Sequence, residues 1–94
     1  MHIIDIIWLP DIVEKLAVKH DVRPDEVEES LMGLPSFRRI ERGRVQGEDL
    51  YAAMGQTDAG RYLVVYFIRK AGGVALIISA RDMDSRERRQ YGRK

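Results

Sequence analysis

Two arginines carry the strongest chemical signal in this chain. Arg61 opens the apolar run Tyr62–Ile68, and Arg81 closes a second run that begins at Val74. In an antiparallel hairpin the start of one strand lies beside the end of its partner, so the two guanidiniums are expected to converge on one end of a sheet. Strand parity groups Arg61 with Leu63, Val65 and Phe67, and Arg81 with Ser79, Ile77 and Ala75. Paired guanidinium forks suit a phosphate better than a core. The chemistry they suggest is metal-free cleavage of RNA by its own 2′-hydroxyl. That reaction needs a base, positive charge on the phosphate and an acid for the leaving oxygen. Arg61 and Arg81 would hold the phosphate, and His20 or Glu48 would move protons. Tyr91 would stack a base or donate a proton, and Arg86, Arg88 and Arg89 would contact phosphates.

Each candidate has a structural alternative. His20 closes an apolar helical stripe, as a hydrogen-bonded structural histidine does. Glu48 suits a solvated turn, Tyr91 suits packing of a helix on the sheet, and the arginines suit charged rims or a solvated helix face. Trp8 reads as core. With Arg61 and Arg81 in catalytic roles, alanine at either is expected to abolish activity and leave the fold intact.

Other chemistries find little support. The two histidines, His2 and His20, have no ligand-spaced partners, so no metal site is expected. Gly55 and Gly60 do not make a phosphate loop, so no nucleotide cofactor is expected either. With no Cys and no Gly-x-Ser-x-Gly elbow, acyl transfer lacks a nucleophile. The absence of Cys fits a reducing compartment. Met-His-Ile-Ile-Asp has no basic region before an apolar stretch, and no run reaches membrane-helix length, so a cytoplasmic location without a signal peptide is expected.

A net charge of +1 hides a division. Residues 1–35 hold three Lys/Arg against eight Asp/Glu, or −5; residues 36–94 hold thirteen against seven, or +6. The basic half points to a polyanion or an acidic partner, and two solvated surfaces of opposite sign are the alternative.

The elements that must position these groups are legible by pattern. Ninety-four residues make one domain, 1–94. Ile3–Leu9 reads as a strand. Pro10 and Asp11 begin a helix over 10–20. Pro24, Asp25 and Glu26 begin a second, with Val22 and Val27 as a staple around Arg23, and Gly33 and Pro35 end it. Residues 37–42 form a weak strand. Residues 48–55, short and bracketed by glycine turns, form another. Tyr62–Ile68 and Val74–Ile78 flank Gly72-Gly73 as a central hairpin. Asp84 and Glu87 make a capping box for a helix over 85–91, beyond which Gly92-Arg93-Lys94 is expected to fray. The class is α+β: a small antiparallel meander with two N-terminal helices and one C-terminal helix, order β-α-α-β-β-β-α. The strand at Ile3–Leu9 is an edge through which a homodimer could form.

Three stretches resemble the BrnT family of type II toxins. Trp8 followed by Lys19-His20-x-Val22 is similar to its Trp-Asp…Lys-His-Gly-Val segment. Gly55-Gln-Thr-Asp-Ala-Gly-Arg61-Tyr-Leu-Val-Val is similar to its Gly-Arg-Ser/Thr-Asp-x-Gly-Arg-x-Leu-Val-Val run. Ile78-Ser79-Ala80-Arg81 with Arg86-Glu87-Arg88-x-x-Tyr91 is similar to its Ile-Ser-Ala-Arg…Arg-Glu-Arg-x-x-Tyr ending. The resemblance implies a RelE-like fold, a ribonuclease that inhibits translation, and a ribbon-helix-helix antitoxin that neutralises it, with a toxin–antitoxin heterotetramer among the possible assemblies. By matching position it implies a site lined by Lys19, His20, Arg61, Arg81 and Tyr91, with Glu48 before the third strand. Asp21 stands where the family has Gly, and Gln56 where it often has Arg. The first departure bears on the helix terminus and the second removes a positive charge. A catalytically inactive RNA- or antitoxin-binding module of the same fold is the alternative reading.

Overall fold

The computed structural model describes residues 1–45 and 47–92. Five strands and three helices follow one another as β1 (Asp5–Ile7), α1 (Pro10–His20), α2 (Pro24–Met32), β2 (Ser36–Glu41), β3 (Leu50–Gln56), β4 (Tyr62–Lys70), β5 (Val74–Asp82) and α3 (Ser85–Gly92). The class is α+β. Four strands follow the helices where the expected order has three, because the weak segment after Pro35 makes a strand of its own. The strands lie in one sheet, ordered β1-β5-β4-β3-β2. β2 to β5 form the antiparallel meander. β1 corrects the all-antiparallel expectation: it runs parallel to β5, with Asp5 opposite Val74 and Ile7 opposite Leu76. The two helices between β1 and the meander act as the crossover that parallel neighbours require.

The helix boundaries follow local chemistry. Pro10 and Pro24 each occupy a first turn, where a missing N–H costs nothing. Glu26 Oε1 accepts from the Arg23 N–H at 3.0 Å. Arg23 offers no acceptor in return, so only that half of a capping box forms. Val22 and Val27 are fully buried on either side of it, as a staple should be. α1 ends on Asp21 in the left-handed region (φ 52, ψ 44), while the Val22 N–H reaches the Leu16 carbonyl at 3.1 Å. At α3 the full capping box is present: Asp84 N–H to Glu87 Oε1 at 2.9 Å, and Glu87 N–H to Asp84 Oδ1 at 2.8 Å. Arg93 and Lys94, expected to fray, lie outside the described residues.

The sheet carries a core on each face. On the first, α1 and α2 cover Leu63, Val65, Phe67, Ala75, Ile77 and Ala80 with Leu16, Val22, Val27 and Leu31. Tyr51 stacks on Phe67 and Phe37 meets it edge-on. Trp8 is half-buried against this core and donates its indole N–H to Glu28 at 3.0 Å. Gly55 lets α2 approach β3, since a Cβ there would lie 2.6 Å from the Ser30 carbonyl oxygen. On the second face, α3 covers a smaller cluster of Ala52, Val64 and Met83, ringed by Met54, Tyr62, Tyr66 and Tyr91.

One irregularity decides where the functional side chains point. Tyr66 lies opposite Ser79, but Phe67 lies opposite Ile77, so Ile78 is an extra residue in β5. A one-residue insertion exchanges the faces of everything beyond it. Ala75 and Ile77 face the α1–α2 core, whereas Ser79 and Arg81 face the α3 side. The grouping of Arg81 with Ile77 and Ala75 is therefore corrected.

Candidate functional site

Arg61 and Arg81 sit at the same end of the β4–β5 hairpin, but on opposite faces of the sheet. Arg61 precedes β4 on the α1–α2 side. Its Nε donates to Asp82 Oδ1 at 2.7 Å and its Nη2 to Asp82 Oδ2 at 3.2 Å. Nη1 reaches the Asp21 carbonyl at 2.7 Å and Glu26 Oε1 at 3.2 Å, and Nη2 reaches the His20 carbonyl at 3.0 Å. One guanidinium thus satisfies two terminal carbonyls of α1, pairs with an acid from α2 and clamps the end of β5. Its pKa is raised still further by the bond to Asp82, and the same bond holds Asp82 below the usual carboxylate range. The expected convergence on one phosphate is overturned: the inserted residue turns Arg81 away, and the donors of Arg61 are taken up by protein acceptors.

Arg81 is bonded on the other face. Its Nη1 and Nη2 make a two-pronged pair with Glu87 at 2.7 and 2.8 Å, and Nη2 donates to the Tyr66 hydroxyl at 3.0 Å. The bond to Glu87 raises the arginine and holds the Glu87 carboxyl below its ordinary range, with Arg38 adding to the second effect. Tyr66 and Glu87 line a groove of about 300 Å³ between α3 and the sheet. Arg38 and Gln90 form its polar rim, and Ala52, Met54 and Val64 lie along it. Arg81 stands behind Tyr66 and Glu87 and fixes both.

The remaining candidates divide among three places. His20 ends α1 beside Arg61, and its imidazole lies near enough to Asp82 to favour that carboxylate's charge. Lys19 is exposed in the same turn. Tyr91 packs α3 on the sheet, edge-on to Tyr62 with centroids 6.1 Å apart, and its hydroxyl donates to the Leu34 carbonyl at 3.4 Å. Arg88 stacks over Tyr62 at 4.6 Å, while Arg86 and Arg89 are exposed on α3. Glu48 is paired with Lys70 at 3.1 Å, where β4 ends and Arg61 does not reach. Neither His20 nor Glu48 is among the groups bonded to Arg81.

Sequence reasoning missed Tyr66 and Arg38 as site residues and took Glu87 only for a cap. The signal for Tyr66 was available, since it shares strand parity with Val64 rather than with the Phe67 core. That for Glu87 was its reach across to β5, which spacing cannot show. Among the described residues no three histidine, aspartate or glutamate side chains gather at metal-binding spacing. Among them, too, no helix is long and apolar enough to cross a membrane. Neither a family model nor a curated protein matches this sequence.

Proposed function

We propose that this protein is the toxin of a type II toxin–antitoxin pair, a cytoplasmic, metal-independent endoribonuclease of RelE-like fold and BrnT-like sequence, neutralised by a ribbon-helix-helix antitoxin. The observation that carries the reading is the Tyr66–Arg81–Glu87 triad at the wall of the groove, with Arg38 on its rim. The α3 side bears Arg38, Arg81, Arg86, Arg88 and Arg89 and so suits an RNA backbone.

The chemistry assigns a part to each group. The Glu87 carboxylate, kept ionised by Arg81, takes the proton of a 2′-hydroxyl. The 2′-oxygen attacks phosphorus and forms a 2′,3′-cyclic phosphate as the bond to the 5′-oxygen breaks. Arg38 stabilises charge on the non-bridging oxygens. The Tyr66 oxygen accepts from Arg81, which leaves its own hydrogen to be donated to the departing 5′-oxygen. Arg61, His20 and Lys19 then support the site by holding the ends of α1 and β5, and Tyr91 by seating α3.

One observation favours a second reading, a binding module without cleavage. Glu87 takes hydrogen bonds from both Arg81 nitrogens and from the Asp84 N–H, and such a carboxylate is a weak base. A single experiment separates the two. Purified protein is incubated without metal with a mixed-sequence RNA, products are tested for 2′,3′-cyclic ends, and RNA binding is followed in parallel. The nuclease reading expects cleavage that Glu87→Gln lowers about 100-fold while binding is kept, in the range of general-base catalysis. Wild-type protein that binds RNA in a salt-dependent way without cutting it establishes the module instead.

A further inference from the structure

We infer that the uncovered half of the α3 face is a docking surface for an amphipathic, acid-flanked helix of a protein partner. α3 covers only the Ala52, Val64 and Met83 end of this face. Next to it a row of aliphatic side chains crosses every strand. Ile7 lies opposite Leu76, Leu76 opposite Ile68, and Ile68 opposite Leu50, and Leu50 meets the β2 irregularity at Ile40. Their strand neighbours Ile6, Ala75, Ile77, Phe67 and Tyr51 belong to the α1–α2 core, so by alternation the row faces the other way. Its interior members are half-buried, and its ends, Ile40 and Ile7, are 41% and 42% exposed.

Size and charge select the occupant. Five strands at about 4.8 Å spacing make a row about 19 Å long, the length of a helix of roughly 13 residues. The row is aliphatic along its length and offers no aromatic face, so it suits leucine-type side chains better than stacked bases. The rim is basic. Arg38 lies two residues before Ile40 on β2, and Arg42 and Arg44 are exposed just beyond it. Lys70 lies two residues after Ile68 and is already paired with Glu48. The protein's own first face shows the kind of element that covers such a row. α2 buries Val27 and Leu31 there and turns Glu28 to solvent. On the second face, Glu87 of α3 already docks by pairing with an arginine. This inference stands apart from the RNA reading, and a failure of cleavage leaves it untouched.

The test uses the full chain and labelled synthetic helices of about 14 residues, with leucine at helical spacing and glutamate between, against a twin carrying lysine. Anisotropy measures affinity and amide NMR shifts map the site. The glutamate peptide is expected to bind at least tenfold tighter than the lysine twin and to shift the amides of Ile7, Leu76, Ile68, Leu50 and Ile40. Ile40→Glu and Ile7→Glu, both at exposed edge positions, are expected to lower affinity at least tenfold without lowering the melting temperature. Equal binding of both peptides, no binding, or shifts confined to the α1–α2 face overturns the inference. So does a dimer mass by light scattering that Ile40→Glu converts to monomer, because a second copy is then the occupant. Shifts of the row on adding an RNA oligonucleotide also overturn it, because nucleic acid is then the occupant.

Discussion

Replacing Arg61 with alanine should unfold this protein more readily rather than merely silence it. The side chain is 25% exposed and joins α1, α2 and β5 through one planar group. Removing it strands Glu26, whose side chain is 12% exposed. Leaving a largely buried carboxylate without its ion partner costs about 2 kcal/mol, and two helix-end carbonyls losing a charged donor cost about 1 more. Asp82, 61% exposed, is rehydrated at little cost. The sum is about 3 kcal/mol, out of the roughly 5–14 kcal/mol expected for a domain of this length. Near its midpoint that lowers the melting temperature by about 15 °C. Circular dichroism with thermal and urea unfolding measures it directly. Adding Glu26→Gln to Arg61→Ala should restore about 1 kcal/mol, because the isolated charge is gone. A loss below about 1 kcal/mol in the single variant, or no recovery in the double, would refute the clamp. This outcome reverses what the sequence suggests for Arg61, where activity was expected to vanish with the fold intact.

Acid should act through the same pairs. Asp82 and Glu87 are both held below their ordinary range by arginine, so their stabilisation is complete above that range and is lost as pH falls through the folded values. Stability measured by urea should therefore decline below about pH 4, and Glu87→Gln should flatten part of that decline. Gly55→Ala should cost about 2 kcal/mol or more, because the new methyl group meets the Ser30 backbone rather than a movable side chain; an unchanged urea midpoint would contradict the close approach. Asp21→Gly should raise stability by about 0.5–1 kcal/mol, since Asp21 holds a left-handed conformation that glycine adopts freely. A lower midpoint would show that the aspartate side chain contributes something the backbone argument omits.

Much of this protein was readable from local chemistry. Prolines at first helical turns, the Val22–Val27 staple, the Asp84–Glu87 box and the Gly72-Gly73 turn, with φ of 80° and 81°, each act within a few residues. The α+β class and the central hairpin follow from them. The division into acidic and basic halves was equally plain, and folding turns it into two faces of one sheet. What needed the tertiary structure was register and partnership. The parallel placement of β1 depends on a crossover that no short-range signal encodes. The extra residue at Ile78 reverses strand parity and so parts Arg81 from Arg61. Whether an arginine offers its charge to a ligand or spends it on the fold depends on the acceptors that distant segments bring to it. For Arg61 those are His20, Asp21, Glu26 and Asp82; for Arg81 they are Tyr66 and Glu87. Residue type and spacing identified the two charges, and only the packing of three helices on two faces decided what each one holds.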